Sequence, residues 1–171
     1  MREGVPVVLP RTRVAHIVVA ALRAAGAPSQ ASLSVILTDD DELAELNSTH
    51  LGHEGTTDVL SFPLLPPESF PPHPGRDVPS SGGSSAAFVL PPRARVHLGD
   101  IAVSVERAVA QAAEGRGGQT GDVRWSAADE LALLVTHGTL HICGWDHAEP
   151  TEESAMRALE RHLLTGAAPS A

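Results

Sequence analysis

The chain has 171 residues, 21 of them acidic and 12 basic, for a formal net charge of −9. With 42% hydrophobic and 19% charged residues it suits one globular domain with a buried core, and its acidity argues against a surface that grips nucleic acid by bulk electrostatics. Every basic residue is arginine, tyrosine is absent, and three Phe and two Trp are too few for a base-stacking platform.

Val5 to Leu9 reads as a short strand. Arg11 to Ala25 then predicts a helix, with Val14, Ile17, Val18 and Leu22 on one face and Gly26 to Pro28 as its stop. A β-branched-rich run makes 32–38 a second strand. Asp39 with Glu42 three residues on has capping-box spacing for a helix carrying Leu43 and Leu46. Asp58 to Phe62 is read as a strand.

The composition changes at Pro63. Nine of the fourteen prolines lie between there and Arg95, mixed with Gly and Ser, so 64–95 is read as a loop insertion without chemistry of its own. Phe88 to Leu90 is its one candidate strand. Val96 to Val105 alternates like a strand, and Glu106 to Glu114 reads as a helix ending at Gly115. Ser126 with Asp129 starts what reads as the longest helix, and Pro150 with Glu152 and Glu153 opens the last one. Strands and helices mixed in this order predict an α+β (α/β-like) fold, a single mixed sheet packed by helices. The chain 1–171 is therefore expected to form a single domain carrying the 64–95 insertion.

The chemistry is concentrated in His137-Gly-Thr-Leu-His141-Ile-Cys-Gly144-Trp-Asp-His147. His137 and His141, four apart, share one face of a helix. Gly144 can take φ > 0 and end that helix, letting the chain turn His147 back toward the same point. Three imidazoles without a fourth protein ligand describe a catalytic zinc site, at the end of a long helix, with one position open for water. Imidazole sites also accept nickel, copper or iron. The spacing is that of a metzincin protease, but proteolysis there needs a glutamate beside the first histidine, and that position is Gly138. Cys143 reads as a buried small hydrophobe. His16, His50, His53, His73, His97 and His162 show no ligand spacing and read as surface or polar-satisfied residues. One cysteine excludes an intramolecular disulfide framework, and no early run has the form of a signal peptide or a bilayer span, so a cytoplasmic protein is expected.

The segment HGTLHICGWDH resembles the HGxLHLxGYDH signature of the YbeY family of metal-dependent single-strand endoribonucleases. Leu46-Asn47 followed by Thr57-Asp58-Val59-Leu60-Ser61-Phe62-Pro63 resembles that family's LN…TDVLSFP block. Leu98-Gly99-Asp100-Ile101 resembles its LGDI strand, and Met156 and Glu160 sit where the family tends to place Met and Glu. The resemblance implies one zinc ion per chain on His137, His141 and His147. It also implies 16S ribosomal RNA 3′-end processing, with roles in ribosome maturation and quality control. The implied partners are ribosomal RNA, the small ribosomal subunit and its assembly proteins, not DNA or membrane. Asp146 is a candidate for orienting a ligand imidazole or relaying protons, the alternative being a helix-terminus turn aspartate. Thr57, Asp58 and Ser61 are candidates for the substrate cleft, the alternative being local backbone bonding at a strand start. Asp100, after a glycine inside a strand, is a fourth candidate. Trp145 stands where the family commonly has Tyr, as an apolar lid.

Leu51 occupies a position where many family members carry an arginine thought to contact substrate phosphate. His50, His53, Arg93 or Arg95 are the candidate replacements. With the acidic charge, Leu51 motivates a second reading, a ribosome-assembly factor whose metal is mainly structural.

Overall fold

A computed structural model of the chain describes residues 4–52, 55–76, 95–115 and 126–166. Among these residues five helices surround one three-stranded sheet: α1 (Arg11–Ala24), β1 (Ala31–Thr38), α2 (Asp40–Leu51), β2 (Val59–Pro63), β3 (Val96–Ser104), α3 (Val105–Glu114), α4 (Ala127–Ile142) and α5 (Pro150–Gly166). The sheet order is β1-β3-β2, with β3 parallel to β1 and antiparallel to β2. This is the mixed-sheet α+β architecture that the element order predicted.

Period-two alternation divides the core. Leu33, Val35 and Leu37 of β1, Ile101 and Val103 of β3 and Val59 of β2 pack with α1 and α4 in the main core. The alternate residues Ile36, Ala102, Leu60 and Phe62 face the other way and close on Leu43 and Leu46 of α2. The sheet is thus covered on both faces by helices.

Helix starts follow the residues expected of them. Asp39 accepts a hydrogen bond from Glu42 N at 2.8 Å, and Glu42 itself accepts one from the Thr38 hydroxyl. Ser126 and Asp129 form a reciprocal capping box at the start of α4. Buried Thr136 and Thr139 satisfy their hydroxyls on the carbonyls of Ala132 and Val135 one turn back.

Three expectations are corrected. Val5 to Leu9 is not a strand; Val5 and Leu9 are buried in the core, but the segment is irregular and Val7 is 74% exposed. Its alternation reflects two anchoring side chains, not a sheet partner. Among the described residues the longest helix is α5, with 17 residues against 16 for α4. The start of the Pro-rich segment is not empty of packing: Pro67–Ser69 forms a 3-10 turn and Phe70 is buried in the main core. Phe88 to Leu90, His53 and Arg93 lie outside the described residues.

Candidate metal centre

α4 is the central helix, packed on β2 and β3 and against α1, α3 and α5. Its last two turns carry His137 and His141, whose Nε2 atoms stand 3.0 Å apart. α4 stops at Cys143, and Gly144 takes φ +81°. That conformation favours glycine, and a Cβ there would come within 2.9 Å of Pro67. The reversed chain brings His147 back, with ring centroids 5.6 Å from His137 and 5.1 Å from His141. One ring nitrogen from each of the three histidines lies within 4.8 Å of the others.

The donor set fits a divalent transition metal. Nitrogens about 2.0–2.1 Å from a tetrahedral zinc stand roughly 3.3 Å apart, close to the spacing of the first pair. Glu160 of α5, 3% exposed, meets His137 Nδ1 at 2.8 Å. A carboxylate can only accept there, so the proton sits on Nδ1 and Nε2 turns a lone pair toward the cluster. Burial above all, then the neighbouring His137 and His147, lowers the pKa of His141 to about 4, while Asp146 and a backbone hydrogen bond at Trp145 act the other way. His141 is therefore neutral at physiological pH, the form a metal requires. Burial also raises the Cys143 thiol to about 12, and Cys143 is 1% exposed, a core residue and not a ligand.

The cluster opens on a cleft of about 520 Å³ whose other wall is the strand β2 and its approach. Thr57, Asp58 and Ser61 line this cleft together with His137, His141 and His147. Their side chains also have partners within the protein, of which only that of Thr57 is local backbone. Thr57 donates to Val59 O at 3.2 Å, Asp58 accepts from Gln111 Nε2 at 3.1 Å, and Ser61 donates to Gly138 O at 3.2 Å. Trp145, 9% exposed, lines the cleft as well. Asp146 lies at its rim, exposed, with Oδ1 accepting from His147 N at 2.7 Å.

Asp100 is not among the residues lining this cleft; its carboxylate meets His97 Nε2 at 3.2 Å. The glycine before it has a structural reason. Between Ser32 and Ser34 the β1–β3 register slips, placing Leu98 and Gly99 opposite Leu33, a β-bulge. Gly99 takes φ +148°, and a Cβ there would stand 2.3 Å from Phe62 O.

Gly138 explains why no protease-type base operates here. Its Cα faces β2 so closely that a Cβ would stand 2.9 Å from Val59 Cγ2 and 3.3 Å from Ser61 Oγ. Any side chain at 138 would crowd Val59, Ile101 and Ser61 on that side of α4.

Two functional contacts lie beyond sequence reasoning. Glu160 meets a ring of the histidine cluster from 23 residues away along the chain. Asn47 donates to Gly55 O at 3.3 Å and so ties α2 to the approach of β2. Only the family pattern marked either residue.

Residues 8–168 match the family model described as endoribonuclease YbeY. Similar proteins include the endoribonuclease YbeY of Roseiflexus castenholzii, 37% identical over 92% of this chain and 83% of that one. The endoribonuclease YbeY of Salinispora tropica is 41% identical over 84% of this chain and 79% of its own. The solution structure of a Thermotoga maritima protein shares the fold with a TM-score of 0.53 at 20% identity, covering 91% of this chain and 79% of that one.

Proposed function

The chain belongs to the endoribonuclease YbeY family, and from that premise we propose that it is a zinc-dependent endoribonuclease cleaving single-stranded ribosomal RNA, with 16S 3′-end processing as its task in ribosome maturation. The observation that carries this reading is the set of three imidazoles at the wall of an open cleft. His137, His141 and His147 would hold one zinc ion. When bound, such an ion makes water a competent nucleophile near neutral pH and offsets negative charge on a phosphate.

The chain's own residues supply the rest. Glu160 fixes the tautomer and rotation of His137, and burial keeps His141 unprotonated. To the Asp146 carboxylate, which lines the cleft, we assign the uptake of a proton released there. Thr57, Asp58 and Ser61 furnish polar groups along the strand wall for a ribose–phosphate backbone. We place the activity in one hydrolase domain spanning 1–171 with 64–95 as its insertion, in the cytoplasm, with the small ribosomal subunit as partner. No helix of the described residues is long and apolar enough to cross a membrane.

A mainly structural metal is less well supported. Structural zinc sites close with four protein ligands, whereas this cluster joins three among the described residues, and His147 is exposed. Metal analysis with a cleavage assay separates the readings. Zinc-loaded protein is expected to cut single-stranded ribosomal RNA, and chelator or His137→Ala is expected to abolish cutting. Equal cleavage by His137→Ala and the parent protein overturns the nuclease mechanism.

A further inference from the structure

The turn carrying His147 is held from outside by a part of the chain that shows no ligand pattern. His73, just beyond the 3-10 turn at Pro67–Ser69, stacks on Trp145 with ring centroids 3.9 Å apart and planes 7° from parallel. Its Nε2 stands 3.2 Å from Gly144 O and 3.5 Å from Glu152 Oε1. Both neighbours are acceptors, so Nε2 carries the proton and donates it to Gly144. Glu152 Oε1 in turn accepts from Asp146 N at 2.9 Å. The His73 and Glu152 side chains are 5% and 9% exposed.

Backbones meet on both sides of this clasp. A Cβ on Gly75 would stand 2.3 Å from Glu152 N, and one on Gly144 would stand 2.9 Å from Pro67 Cβ. The three residues before His147 are thus each tied by a different group: Gly144 by its carbonyl, Trp145 by its ring, Asp146 by its amide. None of these ties involves a ring of the histidine cluster. Together they remove the freedom that a three-residue link would otherwise leave to His147.

We propose that His73, acting with Glu152, is a positioning residue for His147 and so sets the affinity and coordination of the metal site. The inference rests on the reading that the three histidines hold a metal. A ligand ordered before binding spares the metal the entropy of ordering it. Loss of the clasp therefore weakens binding without removing a donor atom.

The test compares the full-length protein with His73→Ala, His73→Gln and His73→Phe. Zinc affinity is read by chelator competition, coordination by the visible absorption of the cobalt(II) form, and folding by thermal melts. His73→Ala is expected to bind zinc about 10–100-fold more weakly, the range seen when residues supporting metal ligands are removed, with weakened cobalt bands. His73→Gln, whose amide can donate to Gly144 O, is expected to recover part of the affinity, and His73→Phe, which keeps only the stack, less. Parental zinc affinity and cobalt spectrum in His73→Ala overturn the inference, whatever happens to the melting temperature. If that variant does not fold, parental values in both His73→Gln and His73→Phe overturn it instead. Parent protein that takes up neither zinc nor cobalt overturns the metal reading itself, and the inference with it.

Discussion

The three histidines reach the same point by two different routes. His137 and His141 ride on α4, a helix capped at its start by Ser126 and Asp129 and packed on the sheet through Gly138. Helical periodicity brings their rings together edge to face, with centroids 4.5 Å apart. His147 hangs on a turn beyond the helix, whose Gly144 and Trp145 are tied to His73 and whose Asp146 is tied to Glu152. The cluster therefore has two rings brought together by one helix, His137 being braced further by Glu160 of α5, and a third that depends on contacts made by the turn.

Removing support from each half tests that contrast. The largest effect is expected on the helical side at Glu160, because its carboxylate is the buried partner of His137 Nδ1. Glu160→Ala should lower zinc affinity about 10–100-fold in chelator competition; an unchanged affinity would leave α4 sufficient by itself to orient His137. Next comes the turn. Gly144→Ala places a Cβ against Pro67 in a backbone region that alanine avoids, so thermal or urea melts should show about 1–3 kcal/mol of lost stability, together with weaker zinc binding. If stability falls and zinc affinity does not, the turn's shape is irrelevant to the site. The smallest effect is expected at the far end of α4. Ser126→Ala should cost about 1 kcal/mol of stability through the lost cap, with zinc affinity unaltered.

The same contrast explains what could be read from the sequence. The helix bearing His137 and His141, its capping box and the strand alternation of β1 and β3 are all i to i+4 patterns or shorter, and all were legible. Gly144 was legible too, as the residue able to end the helix. Glu160 and His73 were not, because a carboxylate or imidazole 23 or 71 residues from its partner leaves no periodic trace. Composition misled in one place. The proline density that marks 64–95 as a loop hides Phe70, a core residue, and His73, a buried one. Proline excludes regular helix and central strand, but it does not exclude docking. The Val5 to Leu9 segment misled in the opposite sense: its apolar run reads as a strand, whereas Val5 and Leu9 are buried in an irregular segment and Val7 is exposed.

Pro63 at the end of β2 lies opposite Gly99 in β3, so residues 64–95 are the connection of an antiparallel pair. The entropy of closing such a connection grows only with the logarithm of its length, about 0.6 kcal/mol per doubling. A chain can therefore lengthen or shorten there at small thermodynamic cost, provided that Pro67 to Gly75 keep their seat. Between Pro67 and Gly75 the connection packs against the histidine turn, so an insertion or deletion within those residues is expected to displace His147.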